Sequence, residues 1–307
     1  MYKPAQYKGG HQTRILIDRR AALGDLVMIT PVVREMRVRY PEAWIQVVTE
    51  EPGILKNNPH VNLVVTPAEM QKSDPWDVYV NLNDAYEKQV TSHYVDSYLH
   101  RAFGQTVAQV DRSPEMFPTQ EEKENVDEAV SEINSDYIVV HMRRWAWENK
   151  NIDIEIWSAL FTRLHDKYPN VKIVTVGAKY DYTVPNDPSR YINLVGQLTV
   201  GEIQHLISRA KAFIGPDSGP FHIASTTKTP IVALISHLLP EQILPWREGE
   251  FGKGITVVLS DVPCTGCYAR QKPPVNNLTC ENSTQWACSK SFDNLKMFTA
   301  LEEIFNK

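Results

Sequence analysis

A chain of 307 residues is too long for one small core and suits two domains of roughly 150 residues each. Its composition, 42% hydrophobic and 22% charged with a mean hydropathy of −0.34, is that of a soluble globular protein. Its apolar runs, such as residues 231–235, are far too short to span a bilayer, and a net charge of −5 argues against a general nucleic-acid binder.

The opening residues Met1-Tyr2-Lys3-Pro4-Ala5-Gln6 lack the apolar stretch of a signal peptide, so a cytoplasmic location is expected, with peripheral attachment at the inner membrane compatible with it. Short β-rich runs then alternate with helical patterns twice over, which predicts two α/β units with parallel sheets. In the first unit, strands are expected at residues 14–18, 45–49, 62–65 and 78–81. A helix carrying Leu26, Ile29, Val33 and Met36 follows the first strand, and residues 86–103 read as a second helix. Arg14, Arg19, Arg20, Arg34, Arg37 and Arg39 crowd this region, as solvated strand and helix ends or as a local basic pocket. Residues 113–124, with two prolines and several charges, are the expected linker.

The second unit restarts with a strand at 137–142, a helix at 154–167 and a strand at 172–177. A helix at 200–210, a strand at 212–215, a helix from about Gly219, a strand at 230–235 and a C-terminal helix at 292–305 complete it. The expected divisions are 1–118, 119–290 and a closing helical segment 291–307.

Two constellations sit where a strand turns into a helix, the place at which open α/β sheets bind ligands. The first is Arg20-Ala21-Ala22-Leu23-Gly24-Asp25-Leu26. Gly24 permits a tight turn, and Asp25 at a helix start either caps backbone amides or faces the cleft as a general base. The second is Gly215-Pro216-Asp217-Ser218-Gly219-Pro220-Phe221-His222. It reads either as an ordinary Asp/Ser helix cap or as a diphosphate site, where glycine lets backbone amides approach a ligand.

A third constellation holds all four cysteines, Cys264-x2-Cys267-x12-Cys280-x7-Cys288. The opening pair has the tight spacing of a metal knuckle, and four thiolates make a tetrahedral set for a structural zinc or iron. Reduced thiols and disulfides are the other readings, the latter unusual in a reducing compartment.

Taken together these segments resemble glycosyltransferase family 9, the ADP-heptose:lipopolysaccharide heptosyltransferases. The stretch from Leu23-Gly24-Asp25 to Arg34-Glu35-Met36-Arg37, followed by Tyr40-Pro41, is similar to the family's opening block. Phe213-Ile214-Gly215-Pro216-Asp217-Ser218-Gly219-Pro220-Phe221-His222-Ile223-Ala224 is similar to its donor block, and Thr229-Pro230-Ile231 follows as in the family. Asn193-Leu194-Val195-Gly196 and Ser208-Arg209-Ala210 fall between them in the expected order. The cysteine array resembles the iron-binding finger of the protein-modifying autotransporter heptosyltransferase branch.

The resemblance implies a GT-B fold, two Rossmann-like domains facing a central cleft, with the C-terminal helix packing back on the first domain. It implies an inverting transferase with Asp25 as the base that deprotonates the acceptor hydroxyl. Asp217, Ser218, Gly219, Pro220 and His222 would bind the donor, joined by Lys150, which lies seven residues before Trp157 as in the family. The segment His141-Met142-Arg143-Arg144-Trp145-Ala146-Trp147 departs from the family's small residues, so Arg143 and Arg144 are expected to touch either diphosphate or acceptor. The implied donor is ADP-heptose and the implied acceptor a glycan or glycolipid such as lipopolysaccharide core. A protein or modified nucleic-acid acceptor, and a non-catalytic sugar-nucleotide-binding protein, are the alternatives. No Asp-x-Asp triplet occurs, so catalysis is expected to need no divalent ion and no cofactor. A homo-oligomer is compatible with the family.

Overall fold

The computed structural model describes residues 12–70, 75–88, 92–104, 107–131, 133, 135–145, 147–271, 279–280 and 282–307. The first unit runs β1 (Arg14–Asp18), α1 (Leu23–Met28), α2 (Thr30–Arg39), β2 (Trp44–Val48), β3 (Leu63–Val65), β4 (Val78–Asn81) and α3 (Tyr94–Phe103). Its sheet has the order β3-β2-β1-β4 with every pair parallel, so β1 lies inside and its carboxyl end opens between two neighbours.

The single helix expected after β1 is two. Pro31 has no amide to offer the Val27 carbonyl, and the Thr30 hydroxyl takes that carbonyl instead at 2.8 Å, so the ladder breaks at Ile29. Nor is 86–103 helical throughout. Only its second half winds, starting where His93 accepts the Val95 amide at Nδ1, 3.2 Å away; residues 89–91 lie outside the described residues.

Only the first part of the expected linker is extended. α4 (Gln120–Ala129) begins inside it, because Thr119 and Glu122 form a reciprocal capping box that turns the charged run into a first helical turn. This helix already packs against the second unit, on α6 (Val200–Ser208).

The second unit contains β5 (Tyr137–Val140), α5 (Ile154–Lys167), β6 (Lys172–Thr175), β7 (Tyr191–Asn193), α6, β8 (Ala212–Pro216), α7 (Gly219–Ser225) and β9 (Ile231–Ile235). Then come α8 (Pro240–Ile243), a small hairpin β10 (Trp246–Arg247) and β11 (Glu250–Phe251), β12 (Ile255–Leu259), α9 (Cys267–Arg270), α10 (Ala287–Lys290) and α11 (Asn294–Phe305). The main sheet is fully parallel, in the order β12-β9-β8-β5-β6-β7.

Alternation along its strands divides two cores. Tyr137, Val139, Phe213, Ile231, Ala233 and Ile235 face a core shared with α6, α7 and the first unit. Ile138, Val140, Ala212, Ile214, Val232 and Leu234 face a second core with α5 and α11.

The C-terminal helix corrects an expectation. It does not return to the first unit; its stripe Met297, Ala300, Leu301 and Ile304 packs on α5, β9 and β12 in the second core. The i, i+3, i+4, i+7 spacing of that stripe meets the matching apolar face of α5 (Trp157, Leu160, Phe161 and Leu164).

The two units meet along α1 and α7, the helices that carry the two sequence motifs. A Cβ on Gly24 would stand 2.6 Å from Cδ2 of His222, and one on Gly219 would stand 2.5 Å from Cδ2 of Leu23. Each glycine therefore makes room for a residue of the other motif. Three further contacts reinforce the seam. His93 Nε2 lies 2.9 Å from the Leu244 carbonyl, the Gly249 amide donates to Ser113 Oγ at 2.9 Å, and Arg112 lies over the Trp246 ring at 5.3 Å.

Candidate active site

Asp25 occupies the third position of α1, just beyond the carboxyl end of β1, and is buried. Of its two expected roles, the capping one is visible in its contacts. Its Oδ2 accepts the Ala22 amide at 3.0 Å, which is the capping role. The same oxygen pairs with Arg19 at 2.6 Å, and Oδ1 accepts the Tyr98 hydroxyl at 2.7 Å. Arg19 is itself buried; burial works against its charge, yet Asp25, with Tyr98 and Tyr86, more than offsets this and holds the guanidinium above its ordinary range. The same guanidinium nitrogen lies 3.9 Å from Glu87, whose carboxyl is raised by burial and whose Oε2 has no hydrogen-bond partner. Burial, then the charge of Asp25, pushes the Tyr98 and Tyr86 hydroxyls well above the usual phenol range, so both stay neutral donors.

Across the seam, Asp217 follows β8 and is held from both sides. Lys150 Nζ lies 2.5 Å from Oδ2, and His222 Nε2 lies 3.0 Å from Oδ1. Burial alone would raise this carboxyl, but Lys150 and His222 hold it well below the ordinary carboxylate range. The seven-residue spacing to Trp157 thus places Lys150 on Asp217, delivered by a 3-10 turn at Glu148–Lys150. Ser218 is the N-cap of α7 by position, yet its side chain bonds no amide of that helix. Its hydroxyl donates to the Pro216 carbonyl at 2.9 Å, while Gly219 and Pro220 open the helix against Leu23 of the first unit.

The two arginines of the unusual segment part company. Arg143 is half-buried and folds into its own loop, donating to Asn151 Oδ1 at 2.7 Å and the Trp147 carbonyl at 3.1 Å. The guanidinium of Arg144 is exposed over the Tyr182 ring, and its backbone amide donates to Asp181 at 2.8 Å. Ala146 lies outside the described residues.

Cys264, Cys267, Cys280 and Cys288 line one small cavity together with His237, Asn149 and Trp286. None of the four is in a disulfide. The Trp286 amide donates to the Cys280 sulfur at 3.3 Å and the Asn282 side chain to the Cys264 sulfur at 3.6 Å. The donor set suits zinc or iron. Yet no three His, Cys, Asp or Glu side chains among the described residues stand in an arrangement that holds an ion, so loading requires the sulfurs to draw together.

The distance in sequence between cysteines and catalytic motifs is misleading. Asn149, next to Lys150, is buried against this cavity, and its carbonyl accepts the Ser236 hydroxyl at 2.7 Å. Residues 272–278 of the cysteine loop, with Pro273, Pro274, Asn276 and Asn277, lie outside the described residues.

Sequence reasoning missed Arg19 as the partner of Asp25, and it missed Tyr98, Glu87 and Asp181 altogether. The last three reach the site from α3, the turn after β4 and the loop after β6, and no spacing signal joins them to either motif.

With both halves of the cleft in place, the comparison with known proteins has a definite meaning. The family model "Glycosyltransferase family 9 (heptosyltransferase)" matches residues 71–276. The chain belongs to glycosyltransferase family 9. It is 21% identical to the lipopolysaccharide core heptosyltransferase OpsX of Haemophilus influenzae, over 76% of this chain and 82% of that protein. Among solved structures it is similar to a family 9 glycosyltransferase from Veillonella parvula, with a TM-score of 0.71 at 17% identity, covering 96% of this chain and 97% of that one. It is also similar to TibC of enterotoxigenic Escherichia coli, a dodecameric iron-containing heptosyltransferase solved with ADP-D-β-D-heptose. There the TM-score is 0.67 at 14% identity, covering 99% and 81%. The fold is thus GT-B, as the family resemblance implies, and the protein is a glycosyltransferase. No helix among the described residues is long and apolar enough to cross a membrane.

Proposed function

We propose that this family 9 enzyme transfers a heptose from ADP-heptose to a hydroxyl of a glycan acceptor such as lipopolysaccharide core, with inversion. The observation that carries the reading is the meeting of the two motifs: Gly24 lies against the ring of His222, so Asp25 on one unit stands beside the Asp217–His222–Lys150 cluster on the other. In the proposed step the acceptor oxygen attacks the anomeric carbon, and the bond from that carbon to the diphosphate oxygen breaks. Asp25 takes the acceptor proton, and the nucleoside diphosphate leaves with the bonding pair.

Arg19 and Tyr98 fix the orientation of the Asp25 carboxylate, and Glu87 leaves Arg19 an anionic neighbour when Asp25 becomes neutral. Lys150 supplies positive charge for the departing diphosphate, with Asp217, Ser218, Gly219, Pro220 and His222 forming the rest of the donor site. Arg143 adds charge behind that site, while Arg144 stands at its rim. No divalent ion is assigned to catalysis. The four-cysteine cavity, which adjoins Lys150 through Asn149, serves as a structural zinc or iron site and takes no part in the chemical step.

The test is a thermal-shift panel of ADP-, UDP- and GDP-sugars, since a ligand that binds only the native state raises its apparent stability. ADP-heptose is expected to give the largest shift. Asp25→Ala should keep that shift within a few-fold of affinity while losing roughly 10²–10⁴ in transfer rate, the usual worth of a general base. A larger shift with a different nucleotide sugar, or near-normal turnover in the variant, would overturn the donor or the base respectively.

A further inference from the structure

The segment after β5 opens on a residue held at both ring nitrogens. His141 is buried, 3% exposed, at the carboxyl end of a central strand. Its Nε2 lies 3.1 Å from Asp181 Oδ2, and its Nδ1 lies 2.9 Å from Ser218 Oγ. Asp181 is anchored in turn, with Oδ1 accepting the Arg144 amide and Oδ2 the Ala178 amide, both at 2.8 Å.

Three loops, those after β5, β6 and β8, are thereby tied around one imidazole. The packing is close: a Cβ on Gly215 would stand 3.2 Å from that of His141, and one on Gly177 would meet both His141 and Asp181.

The single hydroxyl proton of Ser218 is directed at the Pro216 carbonyl, so toward His141 the oxygen accepts; the ring then donates from both nitrogens, Nδ1–H to Ser218 and Nε2–H to the Asp181 carboxylate. That explains why a serine at a helix N-cap caps nothing. Ordinarily such a side chain turns back on its own helix amides; here His141 draws it away.

We propose that His141, held by Asp181, is a positioning residue for the donor: it fixes Ser218 Oγ so that the hydroxyl proton can pass from the Pro216 carbonyl to an oxygen of the nucleoside diphosphate sugar. The proposal rests on the donor reading of the Asp217–His222 segment. Asp181 locks the ring, the ring locks the hydroxyl, and the hydroxyl meets the ligand. His141 itself touches no substrate.

Replacements of different reach test this. His141→Asn keeps a nitrogen donor near the place of Nδ1, whereas His141→Gln reaches the place of Nε2 and His141→Leu keeps neither. Isothermal titration with ADP-heptose should find donor affinity within about threefold of wild type for His141→Asn. It should be weakened roughly tenfold for the other two, the scale of one lost hydrogen bond. The rate at saturating donor should change little in all of them, so the effect lies in KM.

Because the action runs through one hydroxyl, His141→Leu added to Ser218→Ala should weaken binding no further than Ser218→Ala alone. Additive losses, equal losses in His141→Asn and His141→Gln, or wild-type affinity in His141→Leu would overturn the proposal. Should His141→Leu fail to fold, the Asn and Gln variants carry the same comparison. If unaltered protein binds no nucleotide sugar, the donor reading fails first and this proposal falls with it.

Discussion

At the scale of single side chains, the site is built from charges that would each be unstable alone. Asp217 is buried but bracketed by Lys150 and His222, and Asp25 is buried but paired with Arg19. The cysteines instead bring like groups together in one cavity. Burial, followed by the neighbouring Cys267, Cys264 and Cys280, pushes the Cys288 thiol up to about 11. Four thiolates in one cavity repel each other, and a bound divalent ion reverses that penalty. Purified protein is therefore expected to carry about one equivalent of zinc or iron per chain, the stoichiometry of a four-thiolate site. Chelation should lower its thermal midpoint. Elemental analysis that finds no metal in protein prepared without chelators, together with four thiols titratable by a chromogenic disulfide, would remove the metal from the account.

At the scale of elements, α3 shows how a helix start is tied to the domain seam. His93 uses both ring nitrogens in its neutral form: Nδ1 accepts the Val95 amide, and Nε2–H donates to the Leu244 carbonyl of the second unit. Burial lowers its pKa below the ordinary histidine value, and Arg112 and His222 add to this while the Leu244 carbonyl and Asp96 oppose it. The unfolded chain then binds the proton more readily than the folded one. Stability from this group is complete above the ordinary value near 6.5 and is lost as pH falls from there toward the lowered folded value. His93→Asn keeps a cap but cannot titrate, so its chemical-denaturation midpoint should fall less than that of wild type between about pH 7 and 5. Parallel midpoints would mean that His93 carries none of the acid sensitivity.

The same helix shows where sequence reading stopped. Strands β1 and β4 and helix α5 were legible to the residue, because each is a clean apolar period bounded by turn or charged residues. The start of α3 depends on a cap made by a histidine, the split of α1 from α2 on one proline, and β12 on its pairing with β9 across the intervening hairpin. In the site, Asp25, Asp217 and His222 sit in two contiguous motifs and Lys150 at a set spacing from Trp157, so the sequence singles them out as candidates. Arg19, Tyr98, His141 and Asp181 acquire meaning only when separate loops converge.

At the scale of the whole molecule, Asp25 and the Asp217–His222–Lys150 cluster belong to different units, so the geometry of the cleft decides whether they meet. α1 and α7 touch through their glycines, and Gly24 is the stricter of the two: any side chain there meets a ring fixed by its bond to Asp217. Overpacking of this kind costs about 1–3 kcal/mol. Gly24→Ala should push the units apart, giving a larger radius of gyration by small-angle scattering in saturating nucleotide sugar and a slower transfer. Donor affinity, which belongs to the second unit, should hold within about twofold, far short of the tenfold change that 1.4 kcal/mol brings. An unchanged profile with an unchanged rate would show that the ring yields locally.

The glycine seam also bears on which variants of this chain can persist. At Gly219 the tightest contact is the tip of Leu23, which a new leucine rotamer relieves, leaving the Leu23 Cβ at 3.2 Å to give by a few tenths of an ångström. Position 24 has no such outlet, and its neighbour at 222 cannot shrink without surrendering its hold on Asp217. Drift at 24 is thus blocked by a residue nearly two hundred positions away, on the far side of the cleft, for a reason of space alone. Two unremarkable-looking glycines in separate motifs would be expected to change at very different rates in descendants of this sequence, although either one, read singly, looks like the same kind of turn.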